Sequence, residues 1–401
     1  MPTTDFVIIG GGVMGCSLAA HLAARGQSVT VLERKHIASG ASGKSAAVIR
    51  CHYSNEITTR MALLAREVWE SFAERLDLDA GTANEPGPGN VGWHKTGMVI
   101  VGDESTRPGL ERNLAMQRGV GVRTEMITVD ELRALEPRGD FADDACGAFE
   151  ADAGYVDPVR ATEAFAAAAR RHGAVIEEFT PVTRIGVSGG RIVAVETPRG
   201  QFSAGAFVLA TGAWSAKFAQ PLELELPIEA HRAQLALFRQ PVDFGRSHAV
   251  FADFGCMTYF KPLTAGFTTI GTIDDREARV IDDPDTMPDN AEADVIDDLR
   301  ECLARRLPPM RRAVSRGGWS GLYAVTPDWH PIMDRAPHLD NLYLCCGFSG
   351  HGFKLSPLVG RLMSELMLDG AFHTMDARPL RYARFAEGDL IGRQYTAGVI
   401  G

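Results

Sequence analysis

The first forty residues alternate between short apolar runs and small or polar punctuation. Residues 5–9 form an apolar, β-branched run that ends in Gly10-Gly11-Gly12, as a buried strand does when it meets a tight turn. From Val13 to Arg25 the apolar residues Met14, Leu18, Ala19 and Leu22 recur at helical spacing, and Gly26 stops the helix. Residues 28–32 read as a second buried strand, followed by Glu33 and Arg34. The stretch 38–47 is almost entirely small residues and reads as a loop. Beyond it, Met61, Leu64, Ala65, Val68 and Phe72 share one face of a helix predicted over 57–76.

The texture then changes. Residues 81–90 are rich in Gly, Pro and Asn, which marks a crossing between domains. The segment 93–101, with Gly97 near its middle, predicts a hairpin. A helix over 159–172 precedes short strands over 175–178 and 191–197, and a buried strand over 206–210 ends in Thr211-Gly212-Ala213-Trp214. Residues 226–273 alternate strands and turns with little helical pattern, as an antiparallel sheet would. A Pro/Asp-rich loop follows, then a helix near 291–306, a strand over 341–346 and a helix to Leu368. Strand–helix segments interrupted by β-rich ones predict α/β plus antiparallel β. The expected division is a discontinuous Rossmann-like nucleotide-binding domain (1–85, 145–220, 320–375) and an inserted antiparallel-sheet substrate domain (86–144, 221–319). The tail 376–401 is expected to pack on the nucleotide-binding domain.

Composition narrows the class. With 45% hydrophobic and 23% charged residues in 401, the chain has the make-up of an ordinary globular protein. Its 42 glycines are about 10%, against a usual 7% or so, which suits backbone that turns sharply or approaches a ligand. A net charge of −10 without a basic run excludes a nucleic-acid surface. The seven scattered cysteines form no CxxC pair, so no metal site is expected and the thiols read as reduced and cytoplasmic. No apolar run approaches the roughly 20 residues that span a bilayer, so no integral membrane segment is expected.

The first chemical motif is Gly10-x-Gly12-Val13-Met14-Gly15, placed where strand gives way to helix. Its glycines let the backbone approach a pyrophosphate at the helix N-terminus. Glu33, 18 residues beyond Gly15, is positioned to accept from ribose hydroxyls and disfavours a 2′-phosphate, with Arg34 beside it. NAD and FAD share this unit, so the motif alone leaves the choice between them open.

The segments Gly10–Gly15 with Leu32-Glu33-Arg34, Ser39–Arg50, Leu209–Ser215 and Cys346–Lys354 together resemble the FAD-dependent D-amino-acid-oxidase superfamily, most closely its sarcosine oxidase and glycine oxidase-like branch. The resemblance implies FAD, with Ser39, Ser42, Gly43, Lys44, Ser45 and Ala46 in a loop beside the pyrophosphate and ring. It places Val182 at the adenine, and Thr211, Gly212, Trp214 and Gly321 along the cofactor. Gly347, Phe348, Ser349, Gly350, His351, Gly352, Phe353 and Lys354 form a turn whose N–H groups and helix dipole face the flavin's pyrimidine side. Arg50 and Lys354 fall where the branch binds a substrate carboxylate, and Tyr259 matches an active-site tyrosine. His351 either assists there or caps the turn.

Three departures are visible. Gly321 stands where monomeric sarcosine oxidases carry the cysteine that bonds to flavin, so FAD is expected to be non-covalent. Thr269 replaces their oxygen-reactive lysine, although Lys261 is near in sequence. Gly43 and Lys44 replace paired histidines. The expected function is FAD-dependent oxidation of the C–N bond of a small, N-substituted amino acid such as sarcosine, giving an imine that water hydrolyses. O2 or a quinone or protein would accept the electrons, and no general base is evident. A glycine or D-amino-acid oxidase and an opine- or proline-type dehydrogenase subunit are the alternatives within enzymes. A non-enzymatic FAD-binding assembly protein is the alternative outside them.

Overall fold

The computed structural model describes residues 3–82, 84–274 and 279–392, and within them the chain builds two large sheets. In the first, the strands run Val175–Glu177, Val29–Leu32, Thr3–Ile9, Gly200–Leu209, Leu342–Cys346 and Ile332–Arg335. These neighbours are parallel except for the last pair, and Arg191–Thr197 with Arg184–Ser188 adds an antiparallel extension to Gly200–Leu209. The pattern of the first strand explains its burial on both faces. Phe6 and Ile8 point into a core shared with helices Val13–Ala24, Glu56–Glu70, Pro158–Arg171 and Ser356–Asp369. Val7 and Ile9 point into a second core with Leu32, Phe207, Leu209 and Leu344, which is the period-two alternation of a strand.

The second sheet runs Arg279–Val280, Glu229–Arg239, Phe267–Thr272, Thr258–Leu263, Val250–Asp253, Met98–Gly102, Cys146–Glu150 and Thr124–Ile127, with Val314–Val325 paired along Glu229–Arg239. It is antiparallel except where Val250–Asp253 meets Met98–Gly102. Cys146–Glu150 lies on the nucleotide side of the expected boundaries and Val314–Val325 straddles the one at 319/320, yet both hydrogen-bond into this sheet. Helix Ala293–Arg306 closes its outer core through Leu299 and Leu303. A small third sheet, Val48–Ile49, Gly154–Tyr155 and His94–Lys95, stands apart from both.

Two expected elements differ. The helix predicted over 57–76 ends at Glu70, and Phe72–Arg75 forms a separate turn. Ser71 breaks it at φ −128 and ψ 39, its hydroxyl donating to the Glu67 carbonyl at 3.1 Å, a local bond that competes with the helix ladder. The hairpin expected over 93–101 does not form. Gly97 adopts φ +68, and the strands on either side of it enter different sheets. Helix Arg107–Val120 was not anticipated, because its inward face mixes Leu110 and Leu114 with buried Asn113 and Gln117.

Within the tail through 392, Ala377, Leu380 and Arg384 are buried. Arg384 is fully buried and clasps Asp328 at 2.8 and 3.0 Å. The rest of the expected tail, 393–401, lies outside the described residues. No described helix is long and apolar enough to cross a membrane.

Candidate active site

A cavity of about 1130 Å³ runs from the C-terminal ends of the parallel strands to the second sheet, the place where open α/β sheets bind ligands. At one end the strand Thr3–Ile9 delivers the glycine turn. Gly10 sits at φ +113, and a Cβ there would come 2.4 Å from the Ala210 carbonyl oxygen. A Cβ on Gly15 would lie 2.0 Å from the Gly10 oxygen, so Gly15 serves the close packing of helix on turn and does not line the cavity. Gly12, Val13 and Met14 do line it. Helix Val13–Ala24 has no side-chain cap from its own N-cap residue and no acidic residue in its first turn. The positive end of its dipole therefore faces the cavity, and the Val13 N–H donates to Ser42 Oγ at 2.9 Å. Glu33 lines the same end and accepts from the N–H groups of Gly11 at 2.7 Å and Lys35 at 2.8 Å.

Ser39, Ser42, Lys44, Ser45, Ala46, Val182, Thr211, Gly212 and Trp214 all line the cavity. Gly43 does not; a Cβ there would meet the Ala38 carbonyl oxygen at 2.4 Å, so it serves the loop's turn. Arg34 lies over the Trp214 ring at 4.1 Å and pairs with Asp285 at 2.6 Å. Trp214 Nε1 and Lys217 Nζ also donate to Asp285, each at 2.8 Å. Lys217, Arg34 and Trp214 together hold the Asp285 carboxyl well below the usual carboxylate range. Lys44 pairs with Asp289 of the same loop. This acidic loop, 283–289, was expected only as a connection, and nothing local in the sequence links it to Arg34.

At the other end two cations meet one aromatic ring. Arg50 follows strand Val48–Ile49 and is 7% exposed; it donates to the His52 carbonyl. Its guanidinium lies 4.6 Å from the Tyr53 ring centre, and Lys354 Nζ lies 5.6 Å from the same ring. Lys354, on the short helical turn Phe353–Leu355, is buried and donates to the His351 carbonyl at 3.3 Å. Trp69 fixes this turn by donating to the Lys354 carbonyl at 2.8 Å. Burial, then the charge of Arg50, hold the Lys354 ammonium well below its ordinary pKa. Among the described residues no carboxylate forms an ion pair with either cation. The nearby Glu150 is buried, its pKa is raised by that burial, and both its oxygens accept from the Cys51 N–H at 2.9 Å.

His351 lines the cavity. Its Nε2 donates to the Trp329 carbonyl at 2.6 Å, while Nδ1 has no hydrogen-bond partner among the described residues. Burial, Lys354 and His330 keep the ring neutral. Tyr259, on strand Thr258–Leu263, and Tyr323 both line the cavity, and burial raises both phenols. Tyr323 in turn lies flat on Gly350, where a Cβ would come within 2.8 Å of the ring. Tyr53 and Tyr323 are the site residues that sequence reading did not single out; each is called into place by a contact from a distant segment. Phe348, Ser349, Gly350, Gly352 and Phe353 line the wall. Gly347 does not; at φ +71, with Thr326 Cγ2 only 2.6 Å from a would-be Cβ, it supports the turn.

The departures are also placed. Gly321 lines the cavity, and the nearest atom to a Cβ there would be Lys44 Cβ at 3.5 Å. Thr269 is buried outside the cavity lining, donating to the Ala236 carbonyl at 3.1 Å. Lys261 is its cross-strand partner, buried over the Tyr155 ring at 4.2 Å and lowered to about 7 by burial. No cluster of potential metal ligands occurs among the described residues.

This donor set suits a dinucleotide: a glycine-led helix N-terminus for pyrophosphate, an acid for ribose, and a cavity that continues to a second, cationic end. The FAD dependent oxidoreductase family matches residues 5–366. Peroxisomal sarcosine oxidase of Homo sapiens is 27% identical over 395 residues, covering 95% of this chain and 96% of its own length. Glycine oxidase of Geobacillus kaustophilus is 28% identical over 370 residues, covering 90% and 92%. The solved structure of L-proline dehydrogenase from P. horikoshii superposes with a TM-score of 0.87 at 27% identity, covering 98% of this chain and 100% of that one. The chain therefore belongs to the FAD dependent oxidoreductase family, and within its sarcosine oxidase and glycine oxidase-like branch it is an FAD-dependent amino-acid oxidoreductase.

Proposed function

We propose that the protein oxidises the C–N bond of a small secondary α-amino acid, sarcosine or a relative that includes the cyclic amine L-proline. The observation that carries this reading is the pair Arg50 and Lys354 in the cavity wall, two buried cations without an acidic partner among the described residues, set against the single buried ring of Tyr53. Such a pair is costly unless an anion joins it. A substrate carboxylate completes the site with charge-assisted hydrogen bonds and thereby fixes the orientation of the reacting carbon.

Glycines 10 and 12, the N-terminus of helix Val13–Ala24, Glu33 and the Ser39–Ala46 loop would hold FAD, and bound FAD supplies acceptance of a hydride at N5. Gly321 offers no nucleophile, which supports a non-covalent cofactor. The turn through Gly350 and Lys354 would place N–H groups and positive charge beside the ring, which stabilises negative charge gained on reduction.

Beside Tyr259 the wall carries an apolar group. Val48, Met98, Val250, Ala252 and Ile273 belong to one cluster with Tyr259, so an alkyl substituent fits there better than a charged one. The substrate ammonium must lose a proton before its nitrogen lone pair can stabilise the developing cation. Burial keeps His351 neutral, so the ring adds no repulsive charge beside the substrate ammonium. We further propose that the two sheets form a discontinuous FAD-binding domain and an inserted substrate domain, with strands Cys146–Glu150 and Val314–Val325 on the substrate side. The cytoplasm is the proposed compartment, consistent with seven free thiols.

A second reading concerns the acceptor: a dehydrogenase that passes electrons to a quinone or protein. It is favoured by Thr269, which replaces the oxygen-reactive lysine and has its hydroxyl tied to the Ala236 carbonyl. One experiment tests both. The flavin-loaded protein is mixed anaerobically with sarcosine, N-alkyl amino acids, L-proline, glycine, D-amino acids and opines while flavin absorbance is followed, and air is then admitted. Bleaching by the secondary amino acids supports the proposal, and bleaching confined to glycine or D-amino acids overturns it. Rapid reoxidation with peroxide marks an oxidase, slow reoxidation a dehydrogenase.

A further inference from the structure

The C-terminal segment reaches the cationic end of the cavity through a continuous set of hydrogen bonds. Arg384 is fully buried and does not line the cavity. Its guanidinium makes five hydrogen bonds, as many as it has N–H donors: Nε and Nη2 to the two carboxylate oxygens of Asp328 at 2.8 and 3.0 Å, Nη2 to the His330 carbonyl at 2.7 Å, and Nη1 to the Leu380 and Arg381 carbonyls at 3.1 and 3.0 Å. The His330 N–H donates back to Asp328 at 3.1 Å, and Thr326 Oγ1 donates to the His330 carbonyl at 2.7 Å. The loop 326–331, which joins strands Val314–Val325 and Ile332–Arg335, is therefore closed on itself and gripped by the tail.

Inside that loop Trp329 holds φ +62, a left-handed conformation that a bulky residue keeps only where its surroundings impose it. Its carbonyl accepts from His351 Nε2 at 2.6 Å. The His351 carbonyl in turn accepts from Lys354 Nζ at 3.3 Å. The His351 ring stands 5.5 Å from the Tyr53 ring, against which Arg50 and Lys354 are both set. A parallel contact joins the same two segments, since the Thr326 N–H donates to Ser349 Oγ at 3.2 Å. We propose that Arg384 is a positioning residue for the carboxylate site: by way of Asp328 it holds the Trp329 carbonyl where that carbonyl fixes the His351 ring, and with it the His351 carbonyl that seats Lys354. The proposal rests on the reading of Arg50 and Lys354 as partners of a substrate carboxylate.

The geometry gives the mechanism of this hold. A carbonyl oxygen only accepts, so its contact with Nε2 places the ring proton of neutral His351 on that nitrogen. If the grip on Asp328 is loosened, Trp329 relaxes toward negative φ and its carbonyl swings away from Nε2. The ring then loses the contact that sets its tautomer and its orientation, and Lys354 loses a fixed acceptor. Lysine at position 384 keeps the positive charge but lacks the planar fork that bonds Asp328 and three carbonyls together. The effect falls on the cationic end, far along the cavity from the glycine turn, so flavin content is expected to survive.

The test uses flavin-loaded Arg384→Lys, with Asp328→Asn as a milder second variant. Heteronuclear NMR of the imidazole nitrogens reads the His351 tautomer, assigned by the signals missing in His351→Phe, and titration with acetate reads the carboxylate site. The wild type should show the Nε2–H form. Either variant should show a mixture with Nδ1–H and an acetate Kd raised about tenfold, the scale of coupling through residues that do not touch the ligand. His351→Phe should weaken acetate as well, and adding Arg384→Lys to it should weaken acetate no further, because both act along one path. An unchanged tautomer in the flavin-loaded variants would overturn the proposal, as would effects that multiply in the double variant. Loss of flavin from both Arg384→Lys and Asp328→Asn would also overturn it, by showing that the clasp serves the fold alone. Lys354→Met reports separately on the reading beneath it: unchanged acetate affinity there, with a shifted His351 tautomer in Arg384→Lys, would overturn the carboxylate site and leave only the tail's hold on His351.

Discussion

Replacing Lys354 by Met keeps the length and packing of the side chain and removes one of the two cations that we assign to the substrate carboxylate. Truncating one partner of a buried charged hydrogen bond costs about 2–5 kcal/mol. The lower half of that range applies here, because Lys354 is held well below its ordinary pKa by burial and Arg50, so part of the attraction goes into protonating it. We expect about 2.7 kcal/mol, a factor of about 100 in Kd. The assay is titration of the flavin-loaded protein with a small non-oxidisable carboxylate such as acetate, read from the flavin absorbance. Because the bound anion favours the ammonium, binding to the wild type takes up a proton. Its affinity should therefore fall as pH rises above the pKa of free Lys354, and Lys354→Met should lose that slope. Thermal stability should hold or rise, since a buried charge has been removed. A Kd within threefold of the wild type at unchanged flavin content would refute the reasoning, and loss of flavin would show that Lys354 serves the cofactor or the fold.

Other consequences follow from named contacts. Gly12→Ala should fold, because φ at Gly12 is −76 and the added Cβ meets only Ser42 Oγ, at 3.1 Å. The methyl would occupy the proposed pyrophosphate site, so FAD affinity should drop more than tenfold while apoprotein melting shifts little; full flavin content would count against the site. Asp285→Asn breaks the pairs to Arg34 and Lys217, exposed contacts worth roughly 0.2–1 kcal/mol each. It should raise the FAD dissociation constant about fivefold, read by flavin fluorescence on release, and more at low salt than at high. His248 is buried and His21 part-buried, and burial lowers both from 6.5 to about 4. The unfolded chain binds their protons below about 6.5 and the native state does not until about 4, so stability is lost as pH falls through that window. Between pH 7 and 5 the two should together cost about 4 kcal/mol in urea unfolding; a flat profile would show that these rings are not held neutral.

Local covalent geometry made the nucleotide end legible in the sequence. Gly10, Gly12 and Gly15 work within one turn, and Glu33 closes the adjacent strand, so spacing alone carried them. Arg50 and Lys354 became visible only through resemblance, since they lie 304 positions apart and a lone Arg or Lys resembles a surface charge. Tyr53, Tyr323 and Asp285 were not singled out because their roles arise from contacts between distant segments, such as Asp285 with Arg34 across 251 positions. The inserted helix Arg107–Val120 escaped for a related reason. It buries Asn113 and Gln117, and Gln117 donates to the Tyr53 carbonyl at 3.0 Å, so its inward face reads as polar. Gly43 and Gly347 were read as cofactor contacts, whereas a Cβ at either would strike backbone or side chain of the supporting turn.

The account rests on a carboxylate seated by Arg50 and Lys354. Its most direct test compares anaerobic flavin reduction by sarcosine with reduction by sarcosine methyl ester, which keeps the amine and the C–H bonds but carries no anion. The account predicts that the acid bleaches the flavin and that the ester at equal concentration does so at least 100-fold more slowly. Equal rates for acid and ester would contradict it.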